Sequence, residues 1–508
     1  MIKARPNWLD RLIEPIAPRL ALKRALARGV IDETRGYDGA ARGRHTQGWK
    51  ASATSADSEI LNSLPMLRNR QRDLERNNPH ARKARSVWVN NLVGWGSEPR
   101  PSSGNPTLDA KAKQVWKEFV ENADADGQLD FHGIYEIAVG AMVSGGESLI
   151  RRRIRRPEDG LPVPLQLQVM EGDHLDHMKN GPLLNNHVAV QGVEFDAIGQ
   201  RSAYWLYPQH PGNSWSTAAL SLQSRPVPAS EVLHLYRKER TQTRGVPWGS
   251  AVIRSLRDLD DYEIAEIVRK KTEACVVAIV LGADEDNEGI APSVTDARGN
   301  PVEQFEPGLI AYAHGGKEVR FNTPTATGGY AEYKRAGLHT VAAGYLVPYE
   351  LMTGDLSQVN FSSSRVGLTE FRRLVTAVHW LCCVPMFLNP VWRWVCEVAY
   401  LAGKLPVPYV PVTWPDLEFE SVNPIDDANA DLIRMRSGTM SWDDAVAKTG
   451  RNPDDVMMEI VARLKKFDEA DLVFDSDARK VTKGGNEQPS LSKQAEEAAR
   501  IHHLRTVK

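Results

Sequence analysis

From about residue 58 the chain sets apolar residues at helical spacing among charged ones. Residues 58–75 and the stretch "RNNPHARKARSVWVNNLVGWG" (76–96) predict two successive helices. Asn78 can cap the second, Pro79 suits its first position, and Gly94 ends it. Residues 109–121 and 133–143 carry the same period. From "ESLIRRRIRR" (147–156) to "EVLHLYRKER" (231–240) the pattern turns to short β-prone runs separated by Gly, Pro and Asn, which predicts a strand-rich lobe.

The pattern changes again at "WGSAVIRSLRDLDDYEIAEIVRKKTEA", where no Gly or Pro follows Gly249. It predicts one helix over 248–275, roughly 40 Å long. Val252, Leu256, Leu259, Ile264, Ile267 and Val268 form a narrow apolar stripe among many charges. Such a helix buries one seam and leaves the rest of its circumference to water or to other chains, so it should protrude. "VVAIVLG" (276–282) reads as a strand, and 309–321 as strand, turn, strand, within a small α/β insertion reaching about 328. A helix over 330–344 then returns.

Next comes a polar dozen, "GDLSQVNFSSSR" (354–365), set against the most apolar part of the chain. Behind it, Leu368, Phe371, Val375, Val378 and Cys382 alternate spacings of three and four, a buried helix face. Pro385 and Asn389–Pro390 are expected to break that helix, with a second running to about 402 and an extended Pro-rich connector over 404–415. A last helical unit starts where Ser441 caps with Asp444 three residues on, stops at Gly450, and restarts at Asn452–Pro453. Residues 1–35 read as a loosely amphipathic arm, 37–59 as extended loop, and 476–508 as a disordered polar tail.

Composition narrows the classes. A chain of 508 residues exceeds one compact core and implies about three lobes. Its 42% hydrophobic and 25% charged residues fit a soluble globular protein. The net charge of −2 argues against tight gripping of nucleic acid, because each neutralised phosphate needs a Lys or Arg. Cys275, Cys382, Cys383 and Cys396 lack metal-ligand spacing and read as reduced core residues. The N-terminus has no apolar core of a signal peptide. The apolar run 374–395 contains His379, Pro385, Asn389, Pro390 and Arg393, which argues against a membrane span.

Catalytic motifs are absent from the sequence. "HGGKE" (314–318) lacks the leading glycine and the Ser/Thr of a phosphate loop, and no H-E-x-x-H, G-x-S-x-G or paired CxxC occurs. His502–His503, "SLSK" (490–493) and the acidic pairs Asp260–Asp261 and Asp426–Asp427 fit a polar tail, helix faces and caps. No enzyme, metal or cofactor is therefore expected. A large protein with a protruding helix pair and no catalytic constellation fits an assembly component.

Four segments carry a family resemblance: "RNNPHARKARSVWVNNLVGWG" (76–96), "TRGVPWGSAVIRSLRDLDDYEIAEI" (243–267), "AAGYLVPYELMTGDLSQVNFSSSRVGLTEFRR" (342–373) and "SGTMSWDDAVAKTGRNPDDVMMEIVARL" (437–464). In this order, over about 35–475, they resemble the lambda-type portal proteins of tailed bacteriophages, with Met352 standing where that family has Leu. The resemblance implies an α+β portal fold with a mixed α/β wing, helical stem, small α/β clip and α-helical crown. Its implied boundaries are an arm at 1–35, wing 36–245, first stem helix 246–275, clip 276–328, second stem helix 329–344, tunnel-loop region 345–364, kinked wing helices and connector 365–425, crown 426–475 and tail 476–508.

What the family does is then the expectation for this chain. It would form a homo-oligomeric ring, a dodecamer, at one capsid vertex of the virion, after assembly in the host cytoplasm. The ring would pass double-stranded DNA without sequence preference. It would dock the terminase large subunit, the capsid or scaffold protein, and later the head-completion or tail adaptor proteins, with no membrane partner. Asp355, Ser357, Gln358, Asn360 and Arg365 are the residues this would turn toward DNA. Neutral polar groups touch phosphates without holding them, whereas a basic lining would oppose translocation. Arg365, near a helix N-terminus, opposes the dipole and needs a carboxylate, a neighbouring subunit or a phosphate. The alternative, in which Ser362–Ser364 cap the helix and Arg365 makes an intrachain pair, stays open at this point. Rival classes are another head–tail adaptor ring and a DNA-processing enzyme.

Overall fold

The computed structural model describes residues 53–94, 96–213, 223–274, 329–358 and 360–417, most of 423–481, three strands between 278 and 321, and a few positions near the N-terminus. The expected arm is almost wholly outside the described residues, as are 37–52, Cys275 and the tail beyond 481.

The first long helices among the described residues are α1 (Ala56–Asn77) and α2 (Pro79–Val93). The loop expected over 37–59 thus gives way to helix at Ala56, because Ala56, Ile60 and Leu64 bury one small face together. The Asn78 side chain accepts from the backbone N–H groups of His80 and Ala81 at 2.9 and 3.1 Å, as its position predicts. Helices α3 (Pro106–Val120) and α4 (Phe131–Gly145) complete the first helical layer.

Strands β2 (Glu147–Ile154), β3 (Leu165–Glu171) and β9 (Val232–Tyr236) form an antiparallel sheet in the order β3-β2-β9. Strands β4 (Gly181–Pro182), β5 (Val188–Val190), β6 (Val193–Phe195), β7 (Arg201–Leu206) and β8 (Arg225–Pro228) pair in sequence order. Leu149, Met170 and Val232 of the first sheet pack against Val193, Tyr204 and Val227 of the second. The main core lies on the other face of the first sheet. There Trp88, Trp116, Phe131, Tyr135, Phe387 and Trp392 are essentially inaccessible, with Phe387 stacked between Phe131 and Tyr135 at 5.6 and 5.1 Å.

The predicted break at the prolines does not occur. Helix α8 (Phe361–Val378) passes through a π-helical segment, His379–Leu388, into α9 (Asn389–Leu401), and Asn389 keeps helical angles of φ −61°, ψ −45°. The wider π turn gives Pro385 room that an ideal α turn denies it, and a proline has no N–H to leave unpaired. Arg365–Leu401 is long and apolar enough to cross a membrane by length and composition, but half of its most apolar stretch is buried inside the protein. It packs on α2, α3 and β9.

The Pro-rich connector is also more than a spacer. Val412–Thr413 (β13) pairs with Arg100–Pro101 (β1), and Leu405, Val410 and Trp414 are buried. Last come α10 (Pro424–Arg436), α11 (Trp442–Ala447) with the predicted Ser441–Asp444 capping box, and α12 (Pro453–Glu469), none of which buries a residue completely.

Candidate functional site

Helix α5 (Ile253–Ala274) is shorter than the predicted 248–275, because Gly249–Val252 form turns first. It runs antiparallel to α6 (Tyr330–Tyr345). Tyr262 meets Tyr333 at 4.6 Å, Lys334 pairs with Glu263 at 2.9 Å, Leu259 lies on Gly337 and Val252 on Gly344. A Cβ on Gly344 would sit 2.1 Å from a Val252 methyl, so only glycine permits this helix approach. The six apolar positions fall on two faces rather than one stripe, because the step from Leu259 to Ile264 turns the helix by about 140°. Val252, Leu256 and Leu259 are buried, whereas Ile264, Ile267 and Val268 are 58, 52 and 57% exposed.

Beyond α5, strands β10 (Ala278–Gly282), β11 (Ile310–His314) and β12 (Glu318–Phe321) form a sheet in the order β11-β10-β12. The predicted strand–turn–strand is therefore not a paired hairpin. Its two strands flank β10, parallel on one side and antiparallel on the other.

The segment that leads into α5 rests on a buried ionic cluster with no counterpart among the sequence expectations. Glu147 at the start of β2 is wholly inaccessible and accepts from Arg244 Nε through both oxygens at 2.8 and 3.0 Å. Arg68 and Arg244 Nη2 also bond it, as do His234 Nε2 and the Gly245 N–H, both at 2.9 Å. Arg244 further donates to the Gln191 and Gly172 carbonyls, and Arg68 to that of Gly145. Burial pushes the Glu147 carboxyl pKa upward, but Arg244, Arg68 and His234 outweigh it and hold the group well below its ordinary value.

The same contacts settle the tautomer of His234. Arg201 Nη1, which can only donate, lies 2.8 Å from Nδ1, so Nδ1 accepts and Nε2 carries the hydrogen given to Glu147. Burial, with Arg201 and Arg244 nearby, pulls the imidazole pKa down to about 4. Backbones meet here too: a Cβ on Gly146 would fall 2.4 Å from the Val246 main chain, and one on Gly245 would fall 2.0 Å from the Gly146 carbonyl. The cluster thus joins α1, the first sheet and the 243–247 segment that launches α5.

The polar dozen is divided between a loop and a helix. Residues 349–353 form α7 (Tyr349–Thr353), Gly354 ends it at φ +75°, and α8 begins at Phe361, so Ser362–Ser364 lie in the first turn of a helix. Within 345–364 the described non-helical residues are 346–348, 354–358 and 360. The base of the second loop is tied down. Asp355 Oδ2 accepts from Tyr349 Oη at 3.0 Å and from Arg335 Nη2 of α6 at 3.1 Å, while Oδ1 takes the Ser357 N–H at 3.1 Å. Bonds from Ser357 and Tyr349, with Arg335 alongside, hold the Asp355 pKa at about 2. Ser357 Oγ also accepts from Arg335, at 3.2 Å, while Leu356, Gln358 and Asn360 are exposed.

Arg365 pairs with Asp427 of α10 at 3.3 Å. It has its carboxylate within the chain, and Asp427 sits in the first turn of its own helix, where an anion is favoured. Glu171, Asp173 and His210 converge closely enough to hold a cation. Arg72 already sits between the two carboxylates at 3.0 and 2.6 Å, so the group is an ion-pair network.

The sequence signals for the ionic cluster were faint. His234 lies at an alternate position of an apolar strand, and Glu147 opens one.

The family model for the phage portal protein, lambda family, matches residues 42–379. Over 465 residues the chain is 26% identical to the probable portal protein of Halomonas phage phiHAP-1, covering 85% of this chain and 87% of that relative. It is 23% identical to portal protein B of Escherichia phage lambda over 383 residues, covering 67% and 70%. Among solved structures it is similar to a chain in the neck of a native gene transfer agent particle computed with C12 symmetry, at 15% identity and TM-score 0.41, covering 73% of this chain and 90% of that one. It is also similar to a HK97 family phage portal protein from Corynebacterium diphtheriae, at 14% identity and TM-score 0.29, covering 63% and 86%. The family model spans more than half of the 508 residues, and the chain belongs to the lambda family of phage portal proteins.

Proposed function

We propose that this chain assembles into a closed ring of twelve copies at one capsid vertex, the channel through which the genome is packaged and ejected. Family membership supports the reading, and one observation in this chain carries it: the second apolar row of α5, Ile264, Ile267 and Val268, is left exposed. An apolar row of this kind is the surface a second copy would cover. The role is structural rather than enzymatic, and it places the protein in the virion. Purified protein should run as a many-subunit species with a central hole, measured by light scattering and negative-stain images. A monomer at every concentration and salt would remove the ring, and a ring that hydrolyses ATP would remove the structural role.

In this reading α5 and α6 are the stem, the β10–β12 sheet belongs to the clip, and α10–α12 to the crown. The clip would dock the terminase large subunit and then the head-completion or adaptor proteins. Deleting 284–306 should leave folded, soluble protein that no longer binds the terminase large subunit; unchanged binding refutes the docking assignment.

The loop 354–360 would face DNA, with Gln358 and Asn360 presented from a base that Asp355, Arg335 and Ser357 hold in place. Gln358→Lys with Asn360→Lys spares that base and adds two cations per subunit. The expected result is shortened packaged DNA with normal rings, more severely at low salt, since phosphate contacts weaken as counterions rise. Full-length packaging at low salt would take the loop out of the channel.

A further inference from the structure

The arginine-rich strand β2 has two unlike faces. Arg152 points to one face, where Glu397 neutralises it at 3.1 Å and the Trp394 ring lies 5.6 Å away. Arg151 and Arg153 share the opposite face, and Arg155 continues their alternation just past the strand end. The same face is buried nearer the start of the strand, through Glu147 and Leu149, and it emerges where the arginines begin.

Neutral acceptors position the emerging row. Gln168 Oε1 takes Nε and Nη2 of Arg153, and Gln166 Oε1 takes Arg155 Nε at 2.7 Å. Gln166 is itself oriented, because its amide nitrogen donates to the Asn122 and Asp124 carbonyls at 3.2 and 2.7 Å. Glutamine carbonyls fix the guanidinium forks without cancelling their charge. Among the described residues one carboxylate lies within ion-pair distance of the row, Glu231 at 3.8 Å from Arg151. Arg151 Nε is buried without an acceptor among the described residues. Burial, and then the neighbouring Arg151 and Arg155, lower the Arg153 pKa, the mark of like charges held together.

Three guanidinium groups at alternate strand positions, two of them oriented by glutamines and one carboxylate shared among the row, lie roughly 6–7 Å apart along the backbone and suit a repeating anion. We propose that Arg151, Arg153 and Arg155 form a sequence-independent site for the phosphate backbone of duplex DNA, separate from the 354–360 loop. An acidic protein partner is the weaker fit. Protein interfaces are anchored by buried apolar or aromatic side chains, and the exposed Ile154 lies on the opposite face of the strand. Phosphate contacts need only cations and donors. The inference rests on the DNA-conducting role for its choice of ligand, but not on the ring.

The test uses the purified full-length protein in its native assembly state and two unrelated fluorescent duplexes of about 40 base pairs, titrated between about 50 and 300 mM salt. Both duplexes should bind alike. Combining Arg151→Gln, Arg153→Gln and Arg155→Gln should weaken binding at least about tenfold at low salt and flatten the log K against log salt slope by about three. Melting and oligomeric size are measured on the same samples. The Gln166→Leu variant keeps every charge and should lose a smaller part of the affinity. Unchanged DNA binding by the folded triple variant overturns the site, as does absence of wild-type binding at low salt. Tighter binding of poly-L-glutamate than of duplex at equal salt overturns it in favour of a protein partner. A monomer that binds DNA through this row would sink the ring and leave the site standing.

Discussion

Glu147→Gln is expected to destabilise the fold by about 3–5 kcal/mol, the cost of leaving buried charge without its counter-ion. The substitution hardly changes volume. It removes the anion that Arg244, Arg68 and His234 share, and all four groups are at least nine-tenths inaccessible. The amide can accept from one cation, but its own NH2 then meets donors. Because the cluster joins α1 to the first sheet and to the segment entering α5, the loss should spread from the junction into the helix pair. The check is denaturant unfolding of wild type and variant, with soluble yield as a second readout. Pairing the change with Arg68→Met removes one orphaned cation and should recover part of the loss, as coupled sites do. A single variant within about 1 kcal/mol of wild type would show that the cluster is not the support described.

Acidification from pH 7 to 5 is expected to lower stability by about 2 kcal/mol for each of two buried histidines. His234 is held near a pKa of about 4, by burial first and then by Arg201 and Arg244. His379, in the π-helical segment, is also near about 4 through burial, opposed by Asp416. Both of its ring nitrogens lack a partner among the described residues. Each folded-state value lies below the unfolded value of about 6.5, so the unfolded chain takes up protons first. The stabilisation is complete above about pH 6.5 and is lost as pH falls through that value toward 4. Glu147, also depressed, contributes stability above the unfolded carboxylate value and loses it only at lower pH. Unfolding free energies measured across this range should slope by up to two protons. His379→Leu should cut the slope by about one proton without breaking a hydrogen bond. A flat profile between pH 6.5 and 4.5 would mean that both imidazoles charge freely in the folded state.

Much of the fold was legible because it is local. Asn78, Asn452 and the Ser441–Asp444 pair mark helix starts through contacts two or three residues away, and the structure forms each of them. The buried face through Phe371, Val375, Val378 and Cys382 follows from side-chain spacing alone. The family motifs were legible for a related reason: they cluster where glycine and proline positions restrict the backbone, as in "TRGVPWG". The neutral overall charge was misleading in one respect. A sum of −2 says nothing about where cations gather, so the arginine face of β2 is invisible to it.

By itself, then, the sequence determined the helix and strand segments, the capped starts and the family, since these depend on residues a few positions apart. Tertiary structure decided the rest. Pro385 sits inside a continuous helix because the core around Phe387 rewards a π turn over a break. Ile264, Ile267 and Val268 stay open because they lie roughly 60–160° around α5 from the Val252, Leu256 and Leu259 row that meets α6. Glu147 finds Arg68 across 79 residues and Arg244 across 97, and Arg152 finds Glu397 across 245. A charge buried away from water must find its counter-ion wherever folding brings one, and no local pattern records that distance.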